Sequence, residues 1–368
     1  AQKLAPENGE VHFLLARCYR RLGDFKLVHK HLERAWQIGY PVERIRREHW
    51  LVQAQNGEFG SAEAHLQEMV IEPGEDATQI CEAFVSGYFL TYQFHKALPL
   101  LNVWQADFPD DSQTYYFRGR YEEHLMHWTE AATQYRKALE FAPERFEIRL
   151  NLASILLTLR KFDEATDQFR RCLEERPNDH NVRVGYGQCL LEQGENERAR
   201  ELFQAVIEAD PGNVEAAVAL GDYELNENHP AEALKWLRVA TDKQPYHRQA
   251  RYALASALAA TGAQEEAAPH FEFVAKAQEA QQRLQSLRQK IQADFENVDL
   301  RCEYGRLLLE FSDPNEGVAW LRALLSHYPQ HRDSHRALID YYVETGNEEL
   351  AAKHRNAVES AKQTLESP

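Results

Sequence analysis

A period of 34 residues constrains this chain more than any other property. Pro109, Pro143, Pro177, Pro211 and Pro245 stand 34 apart without a slip. Ala97, Ala131, Ala165, Ala199, Ala233 and Ala267 keep the same step. So do the bulky residues four places after each Ala: Leu101, Tyr135, Phe169, Phe203, Leu237 and Phe271. A fourth series is always small: Gly119, Ala153, Gly187, Gly221 and Ala255. Coincident series at one period mean that one supersecondary unit is repeated. Each unit must stack on its neighbours, because none can bury its apolar face alone.

Within a unit the small residue sits on a first helix and the Ala on a second. The expectation is that these two face each other across a close helix crossing, while the bulky residue fills the gap to the next unit. The Pro ends the second helix, since it lacks an N–H and disfavours helix at the residue before it. A 34-residue unit with these residue types resembles the tetratricopeptide repeat, a helix–turn–helix module. The resemblance covers nearly the whole chain. It implies an all-α fold, a right-handed α-solenoid of about ten tetratricopeptide-like helix–turn–helix units.

In chain order, residues 1–8 read as the end of a preceding helix, closed by Pro6. Units one to eight occupy 9–281. Unit two is irregular, with Trp50 in the small slot and Ala62, Leu66 and Met69 continuing its second helix; unit three has Val85 in that slot. After Phe271 the expected Pro is missing, and 282–297 form an inserted helical extension. One continuous helix is expected from about 264 to 294, with Leu284, Leu287, Ile291 and Phe295 along one face. Units nine and ten, with a C-terminal capping helix, fill 298–368, and Gly305 restores the small slot.

Composition narrows the function. The net charge of −16 argues against general nucleic-acid binding. Cys18, Cys81, Cys172, Cys189 and Cys302 are odd in number and contain no C-x-x-C pair, so each is expected to be a small core residue. No apolar run is long enough for a membrane span. Nucleophile-elbow, zinc-protease and phosphate-loop motifs are absent, and neither a catalytic residue nor a cofactor is expected. His29 with His31, His124 with His127, and His327, His331 and His335 are the closest candidates for a metal. Solvated or packed histidines are the better reading, so no metal is expected. With no compartment signal among these residues, a cytoplasmic location is the default, any signal or anchor lying upstream of Ala1.

The resemblance implies a concave surface lined by first helices, on which a partner's extended segment or helix is held. Carried over by register, its residues are Tyr116, Leu150, Leu157, Val184, Leu191, Val218, Leu225 and Tyr252. Asn181, Gln188, Asp222 and Asn226 border them with groups able to bond a peptide backbone. Some of the aliphatic members could equally be contacts between adjacent first helices. Residues 1–50 carry ten Lys and Arg against six Asp and Glu, and Arg17, Arg20, Arg21, Arg44 and Arg47 suggest a site for an anion or an acidic segment. The expected function is a non-catalytic protein-binding scaffold or adaptor. The alternatives are the regulatory or targeting region of a larger enzyme, and an assembly protein that dimerises through Leu284, Leu287, Ile291 and Phe295.

Overall fold

Helical hairpins build the whole of the described chain, residues 7–366 of a computed structural model. In order they are α1 (Gly9–Arg21) with α2 (Phe25–Gln37), and α3 (Val42–Gln55) with the short α4 (Gly60–Ala64) and α5 (Leu66–Ile71). Next come α6 (Ala77–Leu90) with α7 (Phe94–Asp107), α8 (Ser112–His124) with α9 (Trp128–Phe141), and α10 (Phe146–Thr158) with α11 (Phe162–Glu175). Then follow α12 (His180–Glu192) with α13 (Asn196–Ala209), α14 (Val214–Asn226) with α15 (Pro230–Lys243), and α16 (Arg248–Ala260) with α17 (Gln264–Ala293). The last are α18 (Val298–Phe311) with α19 (Pro314–His327), and α20 (Arg332–Glu344) with α21 (Glu348–Glu366). No strand occurs among the described residues, and none of their helices is long and apolar enough to cross a membrane. Two compact units divide after Phe117, within α8. The reading of residues 1–6 as a helix end lies outside the described residues.

Each hairpin is closed by local chemistry that recurs at one register. Asp179, Asn213, His247, Asn297 and His331 each cap a first helix, accepting an N–H three residues on. The turn between paired helices needs one residue with positive φ. Gly23, Gly194, Gly262 and Gly346 supply it freely, while Tyr92, Met126, Arg160 and Asn228 adopt φ of 56–61° in the same slot. In five hairpins a side chain of the new first helix also donates back to the preceding proline carbonyl, six residues earlier. Tyr115 bonds Pro109 at 2.8 Å, Arg183 bonds Pro177 at 2.9 Å and His335 bonds Pro329 at 2.9 Å. Arg149 with Pro143 and Arg251 with Pro245 repeat the contact.

The packing adds a contact to the expected arrangement. In unit nine the Ala slot, held by Gly317, does face the small slot, since a Cβ there would lie 3.0 Å from the Gly305 carbonyl oxygen. The small slot also receives the bulky residue of its own hairpin. A Cβ on Gly119, Gly187 or Gly221 would lie 2.4 Å from Tyr135, Phe203 or Leu237. The bulky side chain also reaches forward: a Cβ on Gly185 would lie 2.3 Å from Phe169. Each ring or branched tip is thus enclosed by its own first helix and by the next one, and Phe169 and Phe203 are fully buried. Phe271 keeps the register but is 39% exposed, because the extension of α17 stands where the next hairpin would close over it.

Unit two also departs from expectation. Its second helix does not run on but breaks at His65 between α4 and α5, and the Trp50 ring stacks on His65 at 4.0 Å. The close crossing of α3 with α6 is made by Gly87 rather than Val85. A Cβ there would come within 1.7 Å of the Ala54 carbonyl oxygen.

The insertion forms one rod with the second helix of unit eight. α17 runs unbroken through 30 residues and buries Ala277, Ala280, Leu284, Leu287 and Ile291. Arg283 pairs with Glu303 of α18 at 2.6 Å, and Arg288 Nε donates to the Tyr304 hydroxyl at 2.7 Å. Near its end, Gln292 Nε2 donates to the Tyr121 hydroxyl of α8 at 3.0 Å.

Candidate binding surfaces

In the first unit, every one of the five arginines meets a carboxylate of its own chain. Arg20 is fully buried, with Glu48 at 2.6 Å and the amide oxygens of Gln55 and Gln79 at 2.9 and 3.0 Å. Arg17 lies 3.0 Å from Asp76, and Arg47 3.9 Å from the same carboxylate. Arg21 faces Glu82 at 3.6 Å, and Arg44 faces Glu75 at 3.5 Å with the Tyr40 hydroxyl beside it. The positive charge that the sequence offered to an anion is therefore engaged internally. Asp76 and Glu75 come from the irregular turn after α5, where register gives no warning of them. Tyr116 also belongs to this unit, half-buried with its ring against Phe117 at 5.5 Å.

In the second unit, the expected inward residues divide into two groups. Val184 and Val218 are buried in the packing between hairpins, Val184 with Leu190 and Phe203, Val218 with Ala240 and Ala250. They are contacts between helices and unavailable to a ligand. Leu150, Leu157, Leu191 and Leu225 remain half-buried, and Tyr252 is exposed with its edge against Phe271. Asn181 and Asn226 are exposed and Gln188 half-buried, and none of these three amides has a hydrogen-bond partner among the described residues. Asp222 accepts from Gln249 at 2.8 Å, and burial holds its carboxyl above the usual range.

A cavity of about 1070 Å³ touches none of those residues. It is lined by Met126 and Trp128 after α8, Lys243–Arg248 after α15, and Gln281, Gln285 and Arg288 of α17. Phe311 and Asp313 after α18, and Tyr341 and Glu344 of α20, complete it. Its lining could not be read from register, since α17 interrupts the repeat and brings distant turns together. Beside it, burial together with the charges of Arg288 and Arg120 pushes the His124 imidazole down to about 3, so this ring is neutral.

The other histidines serve packing. His31 Nδ1 lies 2.9 Å from Nδ1 of His12, while His335 and His354 repeat that contact at 2.8 Å in the last hairpin. His29 stacks on His49, His127 bonds Glu122, His327 bonds Ser326 and His331 bonds Ser334. Among the described residues no three His, Cys, Asp or Glu are grouped to hold a metal. Four cysteines are buried, whereas Cys18 is exposed. Leu284, Leu287 and Ile291 are covered by the chain itself, and Phe295 lies 4.2 Å from the Arg301 guanidinium. The stripe offered as a dimer interface is therefore already occupied.

Comparison with known proteins agrees with this architecture. A family model described as tetratricopeptide repeat matches residues 156–222 and 190–249. No curated protein matches. Among solved structures, YrrB, described as a tetratricopeptide protein with an unusual peptide-binding site, is 24% identical over 51% of this chain and 96% of its own, with a TM-score of 0.44. MamA from Desulfovibrio magneticus RS-1 is 20% identical over 45% of this chain and 94% of its own, with a TM-score of 0.38. These likenesses say nothing of what this chain binds. Residues 156–249 are thus similar to the tetratricopeptide repeat, and the hairpins on either side of them keep the same 34-residue register.

Proposed function

We propose that the chain is a protein-interaction scaffold that holds an extended segment or helix of a partner protein along the first helices α10, α12, α14 and α16. It acts by binding and not by chemistry of its own. The observation that carries this reading is the row of unpaired amides. Asn181, Gln188 and Asn226 stand beside Leu157, Leu191 and Leu225 with donors and acceptors free. A strip of aliphatic surface edged by such groups suits a peptide, whose backbone needs hydrogen bonds and whose side chains need apolar cover. The tetratricopeptide match, which spans α12 and α14, supports the same reading.

Affinity capture tests it, with the full chain as bait. Asn181→Ala with Gln188→Ala and Asn226→Ala removes the amides at exposed or half-exposed positions, so folding should be preserved. The expected result is loss of the proteins retained by wild type. Retention of the same proteins, in the same amounts, rejects this surface.

A further inference from the structure

We propose that the cavity beside α17 binds an acidic peptide segment, with the Arg288 guanidinium as its anchor. This rests on the scaffold reading and gives the partner a charge.

The charges around the cavity are unequally committed. Four carboxylates line it, and each is held by its own chain. Glu123 accepts from the Tyr135 hydroxyl at 2.6 Å, and Glu215 faces His247 at 3.3 Å. Asp313 caps α19 through the Asn315 and Glu316 amides, and Glu344 shares a hydrogen bond with Tyr246. Three cations line it too: Lys243, Arg248 and Arg288. None has a carboxylate at ion-pair distance among the described residues. Lys243 and Arg248 form no hydrogen bond or ion pair with any described residue. Arg288 spends Nε on Tyr304, while its Nη1 is buried with no acceptor.

A guanidinium that lines a cavity without an ion pair keeps its charge available to a ligand, and a carboxylate is the acceptor that suits it best, by geometry and by charge. Among the described residues no carboxylate stands at ion-pair distance from it. His124 is neutral, and Glu316 feels the charge of Arg288 but is held above its usual range by burial and makes no ion pair with it. The volume exceeds that of an ordinary small-ligand pocket, about 300–1,000 Å³. Gln244, Gln281 and Gln285 bring unpaired amides for a peptide backbone, and Trp128, Met126 and Phe311 bring apolar surface for a neighbouring side chain. The four fixed carboxylates disfavour a polyanion such as nucleic acid, whereas one or two acidic side chains fit between them.

Fluorescence anisotropy on the full chain tests the site with three labelled decapeptides. The first carries two glutamates among leucines and glycines and is amidated at its C-terminus. The second replaces glutamate by glutamine, and the third is the glutamine peptide with a free C-terminal carboxylate. The glutamate peptide should bind about tenfold tighter than the amidated glutamine peptide. Recovery of binding by the third would keep the anchor and make the terminal carboxylate its ligand. Arg288→Gln should weaken the glutamate peptide about tenfold, and Lys243→Gln with Arg248→Gln about threefold. Circular dichroism checks that Arg288→Gln folds. Should it not, the exposed Lys243/Arg248 pair carries the test. Equal binding of glutamate and glutamine peptides, no binding of any peptide, or an unchanged affinity in the folded variants overturns the site. The Asn181/Gln188/Asn226 variant separates the two surfaces: it should keep the glutamate preference, and if it alone loses the peptide, the groove stands and the cavity site fails.

Discussion

Arg160 shows what a single position contributes to a repeated turn. Its φ is 58°, in the left-handed region where a Cβ is crowded, and the slot is glycine 34 residues later at Gly194 and again at Gly262. The side chain is exposed, and its ion pair with Glu192 at 3.2 Å lies in solvent, where such pairs contribute little. Arg160→Gly should therefore stabilise the second unit by up to about 1 kcal/mol, read as a higher urea midpoint with unchanged slope. A destabilisation would mean that the lost contacts outweigh the relieved backbone. Slots of this kind were legible because steric demand within a hairpin is local and repeats with the hairpin. That the bulky residue also fills the small slot was not, since the sequence alone does not say which residues four apart on one helix reach the facing surface. The recurring bond to the proline carbonyl was legible in principle. Tyr115, Arg149, Arg183 and Arg251 are donors placed six residues after a proline in successive or alternate repeats.

At the scale of the element, α17 is where register and structure part. Its helix formers and missing proline announce a long helix, and its apolar stripe announces that something covers it. The covering surface is invisible in the sequence because it is distant: Gln292 and Tyr121 are 171 residues apart. The carboxylates that meet Arg17, Arg44 and Arg47 were hidden for a similar reason, since they arrive from an irregular turn. Leu287 is fully buried in the stripe. Leu287→Ala should cost about 2–5 kcal/mol, the range for a large core side chain cut to Ala. Amide hydrogen exchange should then rise in α18 and at the end of α8 as well as in α17. Faster exchange restricted to α17 would show that the rod merely rests on its neighbours.

On the scale of the whole chain, stability should be divided as the contacts are. Arg20 and Glu48 form a buried ion pair in the first unit, and removing one partner leaves an uncompensated charge. Glu48→Ala should destabilise that unit by about 3–5 kcal/mol. Exchange protection should fall over α1 to α7 and stay at wild-type levels beyond Arg118; a uniform fall through the last hairpin would make the chain one cooperative block. Within the second unit, α17 has a further mechanical meaning. A straight helix of 30 residues is about 45 Å long. One end is the second helix of the eighth hairpin, and the other is tied to Tyr121 in the fourth. The hairpins between them are thus strung like a bow, with α17 as the string. Repeat arrays without such a tie can stretch and recoil like springs, but here a change of curvature between α8 and α16 must first break the tie or bend the rod. Whatever binds along those helices meets an arc of set radius.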